Sequence, residues 1–180
     1  MKKRLSALIL SVLLAWTASA AGEAPLPAFT LEENLLLYQG HDFSCMDIST
    51  AETVLKELGF TAEKDDSMLI IGMLLLRGSR EQAQPCEIQL YYNQQGRPNR
   101  ILFSFKQDTA AYAELYNLFS PIAGQPVHTP AETTRYGTMP ETNAWALGPW
   151  QFTIYGADTA TLQDCANGTC TMMLQAWCAP

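Results

Sequence analysis

The stretch from Pro85 to Gln107 constrains the fold more than any other part of the chain. Ile88, Leu90 and Tyr92 alternate with Glu87, Gln89 and Tyr91; Asn93 to Pro98 supplies turn chemistry; Ile101, Phe103 and Phe105 then alternate with Arg100, Leu102, Ser104 and Lys106. An apolar period of two on both sides of a glycine-containing turn predicts an antiparallel β-hairpin. A hairpin with one apolar face is not stable alone in water, so helices or further strands must cover Ile88, Leu90, Ile101, Phe103 and Phe105. The fold class that follows is α+β: a single two-layer domain, its antiparallel sheet covered by two or three short helices.

The remaining elements are placed against this hairpin. Ser49 with Glu52 three positions on reads as a capping box for a helix from Thr50 to Leu58. Its Ala51, Val54, Leu55 and Leu58 fall on one stripe, and Gly59 stops it. Thr30 and Glu33 suggest a shorter helix over Leu31 to Tyr38. Glu63 to Ser67 reads as a polar turn, and the apolar run Met68 to Leu76, interrupted by Gly72, as a central strand. Asp108 can cap an amphipathic helix from Thr109 to Phe119 that ends at Pro121. Pro121 to Pro140 reads as a long extended connection. Strands return at Ala144 to Leu147, Trp150 to Tyr155 and Cys170 to Cys178. This order permits two α-then-β halves sharing one sheet, without a residue-level repeat.

Met1 to Ala20 has the form of a secretory leader: Lys2, Lys3 and Arg4, an apolar run from Leu5 to Trp16, and small residues at Ala18-Ser19-Ala20. The expected organisation is a leader over 1–20, an extended lead-in over 21–30 and one α+β domain over 31–180. The product would be periplasmic or secreted, with no membrane insertion after cleavage. The whole chain carries a formal charge of −7. Loss of the three leader cations takes it to about −10, a balance that repels nucleic acid and steers basic partners inward.

Five cysteines, Cys45, Cys86, Cys165, Cys170 and Cys178, in a chain bound for an oxidising compartment predict disulfides. Cys170 and Cys178 on one strand would stand roughly 26 Å apart, too far to pair. Cys165 with Cys170 closes the turn-forming Ala166-Asn167-Gly168-Thr169, Cys45 with Cys86 ties the segment before the Thr50 to Leu58 helix to the hairpin, and Cys178 is left over. The spacings carry no C-x-x-C and the chain has two histidines, so neither a metal site nor a cofactor is expected.

His41, Asp42 and Cys45 form the one local cluster of titratable residues that could activate a thiol. A disulfide role for Cys45 competes with that reading. The proline-rich connection and the aromatic supply near it mark His128, Arg135, Tyr136 and Trp145 as expected contact residues. Together these features point to an exported, non-enzymatic protein-binding module of a bacterial envelope, an inhibitor or immunity-type partner of a basic exported enzyme. A small Cys- or His-dependent hydrolase or transferase and a structural envelope component are the competing classes.

Overall fold

A computed structural model describes residues 29–81, 83–105, 109–135, 137–139, 141–155 and 172–178. In chain order these form β1 (Phe29–Glu32), β2 (Leu35–Tyr38), a 3-10 turn (Phe43–Cys45), α1 (Ile48–Glu57), β3 (Thr61–Asp65), a second 3-10 turn (Asp66–Ile71), β4 (Leu74–Ser79), β5 (Glu87–Tyr92) and β6 (Pro98–Phe105). After them come α2 (Thr109–Ala123), β7 (Val127–Thr129), β8 (Glu132–Thr134), β9 (Gly137–Met139), β10 (Thr142–Leu147), β11 (Trp150–Tyr155) and β12 (Met172–Cys178). Eight strands make one antiparallel sheet in the order β3-β4-β5-β6-β12-β11-β10-β7. Each run of four is a helix followed by strands, and the two runs meet where β6 pairs with β12, Phe103 opposite Leu174. The expected antiparallel sheet forms, with two helices rather than a third over Leu31 to Tyr38, and the sheet dominates.

The 85–107 hairpin forms as β5 and β6, with Ile88 opposite Phe103 and Leu90 opposite Ile101. Residues directly opposite across a ladder share a face. The inner face therefore carries Leu76, Ile88, Leu90, Ile101, Phe103, Phe105, Phe152, Ile154, Leu174 and Ala176, all buried. Three elements pack on it. From α1, Leu55 lies so close to β4 that a Cβ on Gly78 would stand 3.0 Å from its Cδ2. From α2, Phe119 stacks between Trp145 at 5.2 Å and Phe152 at 4.9 Å. Between them, Phe29 of β1 meets the Phe103 ring edge-on at 5.0 Å.

Several sequence expectations are corrected. Leu31 to Tyr38 is not helical: Glu33 and Asn34 both take positive φ, 49° and 71°, which suits a two-residue hairpin turn. Thr30-x-x-Glu33 imitates a capping box without being one. Phe29, assigned to the lead-in, is buried in the core. Glu63 lies on the edge strand β3 rather than in a turn. Met68–Leu76 divides at Gly72, whose φ of +75° separates the second 3-10 turn from β4, and Leu69 is left 55% exposed. Pro121 sits inside the last turn of α2, and the helix runs on to Ala123 before Gly124. The extended connection to Pro140 contains β7 and the separate hairpin β8–β9.

Helix α1 begins two residues before Thr50, with Asp47 as its cap. Asp47 Oδ1 accepts from the backbone N–H of Ser49 and of Thr50, both at 2.9 Å, and Oδ2 accepts from the Thr50 hydroxyl. Glu52 instead reaches Lys56 at 2.6 Å and Lys64 at 2.9 Å. Hydrogen bonds from Thr50, with a smaller one from Ser49, hold the Asp47 carboxyl below its ordinary range, and the lysine contacts bring Glu52 down to about 2. Both are stabilising above the ordinary carboxylate range and lose that contribution as pH falls through their lowered folded-state values. Asp47→Ala should therefore lower the urea midpoint at neutral pH, and the gap from the parent protein should close as pH falls below the ordinary aspartate range. A gap independent of pH would remove the carboxylate cap as its cause.

Candidate functional site

The outer face of the sheet carries the residues that alternate with the core. Register places Arg77, Glu87, Gln89, Tyr91, Arg100, Gln175, Gln151, Thr153 and Tyr155 there. All of these except Gln151 and Thr153 join into one ribbon. Arg77 Nε lies 3.0 Å from Glu87 Oε1. Glu87 Oε1 also accepts from Gln89 Nε2 at 2.7 Å, and Gln89 Oε1 accepts from the Tyr91 hydroxyl at 2.7 Å. The Arg100 guanidinium stands over the Tyr91 ring at 5.1 Å and donates through Nη2 to Gln175 Oε1 at 3.0 Å. Gln175 Oε1 accepts a second time, from the Tyr155 hydroxyl at 3.3 Å. The ribbon crosses five neighbouring strands, from β4 to β11.

Such a chain fixes side chains before anything touches them. A glutamine whose oxygen takes two donors has lost most of its rotamer freedom, and an arginine seated on an aromatic ring has lost much of its own. Burial raises the Tyr155 pKa, with Arg100 opposing it, so the phenol stays protonated and able to donate at neutral pH.

The outer face is not evenly exposed. Leu75, Gln89, Leu102, Ser104 and Thr153 are buried, while Gln151 is open, Trp177 is 39% exposed and Val127 72% exposed. The open part is a depression of about 500 Å³ lined in part by Val127, Thr142, Gln151, Tyr155, Gln175 and Trp177. It adjoins one end of the ribbon through Gln175 and Tyr155. No protein-family model, no curated protein and no solved structure matches this chain. Its chemistry rests on its own residues.

Trp145, expected as a contact residue, is only 2% exposed, and its indole N–H donates to the Gly124 carbonyl at 3.1 Å. It belongs to the inner face, opposite Phe152. His128 lies on the edge strand β7, exposed, with Nδ1 3.1 Å from Asn143 Oδ1. Arg135 is exposed between β8 and β9, and Tyr136 lies outside the described residues. Of the three that are described, Trp145 faces the core while His128 and Arg135 are exposed.

The bridge expected between Cys45 and Cys86 is not formed. Cys45 is a free, exposed thiol after the first 3-10 turn, and its Sγ donates to the Asp42 carbonyl at 3.5 Å. Cys86 is buried, with its Sγ donating to the Ser104 carbonyl at 3.3 Å. One sits on the surface and the other inside the sheet. Cys165 and Cys170 lie outside the described residues. Asp42 accepts from Ser44 through both N–H and hydroxyl, which caps the 3-10 turn. Partial burial, and then the hydrogen bond and charge of Asp42, push the Cys45 thiol up, opposite to what a nucleophile needs. Among the described residues no group of three or more His, Cys, Asp or Glu could hold a metal.

Sequence reasoning missed the ribbon. Its signal was present in the alternation, since Gln89, Tyr91 and Arg100 were placed opposite the apolar positions. The pairing of β6 with β12 that joins them to Gln175 and Tyr155 left no trace in local sequence.

Proposed function

We propose that this chain is an exported, non-enzymatic binding module of the periplasm or the exterior, which takes a basic protein against the outer face of its sheet. In this reading it is a single two-layer unit: helices and the first hairpin cover the inner face, and the other face meets the partner. The observation that carries the proposal is the ribbon from Arg77 to Tyr155 ending beside exposed Trp177. Tryptophan, tyrosine and arginine dominate the energetics of protein interfaces, and a preorganised set loses less entropy on binding. Charge supplies the partner's sign. The formal charge of −7 accelerates encounter with a basic surface, and Glu63 and Asp65 of β3 extend the outer face with two further acids. The raised thiol pKa of Cys45 counts against the thiol-enzyme class.

The test is affinity capture from an envelope extract at low and high salt, with the parent protein and Trp177→Ala. The parent should retain a basic protein at low salt and less of it at high salt. Trp177→Ala should weaken that capture by about 30-fold, corresponding to a contact of about 2 kcal/mol, with unchanged thermal unfolding. Equal capture by the variant would remove the outer face as the site. No retained protein at either salt would end the binding-module reading.

A further inference from the structure

The three described cysteines stand at different places on the sheet. Cys86 precedes β5 and is buried, and both its backbone N–H and its thiol donate to the Ser104 carbonyl, at 2.8 Å and 3.3 Å. Cys178 ends β12 toward the other end of these strands: it pairs with Trp150, and its neighbour Trp177 pairs with Arg100. Arg100 and Ser104 are roughly 13 Å apart along β6, whereas a disulfide needs its two Cα atoms within about 7 Å. Cys86 is therefore out of reach of Cys178.

Cys45 belongs to the Cys178 end. Leu174, Ala176 and Cys178 share parity, so Cys178 closes the inner-face row of β12, packed against the core. The first 3-10 turn lies over that row. Its Ser44 borders, together with Cys178 and Trp150, a depression of about 560 Å³ at this end of the sheet, and it borders a smaller apolar hollow with Trp150 and Ala176. Cys45 is the next residue, so the turn and the strand each bring one thiol to a single rim. Little holds the Cys45 side chain where it is. It is exposed, and its thiol, a weak donor, meets the Asp42 carbonyl at 3.5 Å.

We propose that Cys45 and Cys178 are oxidised to a disulfide that fastens the last strand of the sheet to the turn before α1. The oxidant is a protein disulfide of the oxidising compartment. One of the two thiolates attacks it and releases one of its sulfurs as a thiol; the other thiolate then displaces the second sulfur. One S–S bond forms and one breaks, and the carrier leaves as a dithiol with the two protons and two electrons. The odd cysteine count is then accounted for: Cys86 keeps its thiol inside the sheet, and the pairing of Cys165 with Cys170 expected from the turn between them stands beside the new one. The bond closes a loop over most of the domain, which restricts the unfolded chain, and it ties down the strand through which the two runs of the sheet are joined.

From the reading of the chain as exported, the inference takes its oxidising surroundings and nothing else. It is tested on the purified full chain, reduced, equilibrated with glutathione and its disulfide, blocked with iodoacetamide and digested without reduction by chymotrypsin, which can cut at Leu174 between Cys170 and Cys178. Mass spectrometry should find the Cys45 peptide joined to the Cys178 peptide, and Cys86 alkylated only after unfolding. The oxidised parent should melt about 10 °C above its reduced form, and Cys45→Ser should lose most of that difference. Cys45 carrying iodoacetamide or glutathione in the oxidised protein would overturn the proposal, as would a link from Cys45 to Cys86, Cys165 or Cys170. Because the buffer supplies the oxidant, either result counts against the pairing and leaves export and the outer-face partner untouched.

Discussion

Arg80→Ala should cost about 3 kcal/mol of folding stability, and Arg80→Lys should recover only a small part of it. The guanidinium of Arg80 donates through Nε to the Pro85 carbonyl at 3.0 Å and through Nη1 to the Leu58 carbonyl at 3.1 Å. Through Nη2 it donates to the Gln84 carbonyl at 2.7 Å and the Tyr38 hydroxyl at 2.6 Å. Its carbon also stands 4.2 Å over the Phe60 ring. Leu58 is the C-cap of α1, so the cation lies at the negative end of a helix as well. Alanine removes every donor at once and leaves three part-buried carbonyls without this partner. Lysine can serve at most part of this set, because its ammonium has neither the planar fork nor the stacking surface. Tyr38→Phe removes one acceptor and should cost about 1 kcal/mol. Urea unfolding checks all three, with the midpoint moving and the slope constant. A midpoint for Arg80→Ala equal to that of the parent would show the network to be dispensable.

Trp145→Ala should be at least as damaging, at about 3–5 kcal/mol, because it removes the buried ring that lies between Phe119 and Tyr116. Phe119 lies 5.2 Å from the Trp145 ring on one side, and Tyr116 meets it edge-on at 5.5 Å. For a domain of this length the melting temperature should fall by about 2–4 °C for each kcal/mol lost. The same substitution separates two views of this residue. A contact residue, as the aromatic supply suggested, would weaken partner capture and leave melting unchanged. A core residue would do the reverse, and the burial of Trp145 selects the second outcome. Melting within one degree or so of the parent would contradict the packing described.

The contrast shows where local sequence is informative. Alternation over six residues was sufficient on both sides of the turn for β5–β6, and again for β11 after Gly148, because a strand with one buried face leaves a period of two. The four-residue strands β1 and β2 are too short for any period to emerge, and their turn is carried by Glu33 and Asn34 in a conformation that Asn signals only weakly. A continuous apolar run such as Met68 to Leu76 has no period at all, so Gly72 could be read only as an interruption. The cap of α1 was displaced because Ser49 and Asp47 both suit an N-cap, and the choice fell to Asp47, whose two oxygens reach three donors. On the functional side, composition drew attention to aromatics near prolines. Position in the hairpin was the better guide: Trp145 lies opposite Phe152, and both share parity with the core. The outer ribbon depended on a pairing between residues far apart in the chain, which no local pattern encodes.

The seam between β6 and β12 has a consequence for how the molecule comes together. The sheet's middle is assembled from the strand that ends the first run and the strand that ends the second, so Phe105 meets Met172 only after everything between them has been made. Until then both inner strands present unsatisfied backbone to the surroundings, and each run is a half-sheet with a sticky flank. Closure of so distant a ladder is slow, and two copies stalled at this stage could exchange their final strands. Any helper that shields nascent chains would find its target at the centre of this protein rather than at its rim.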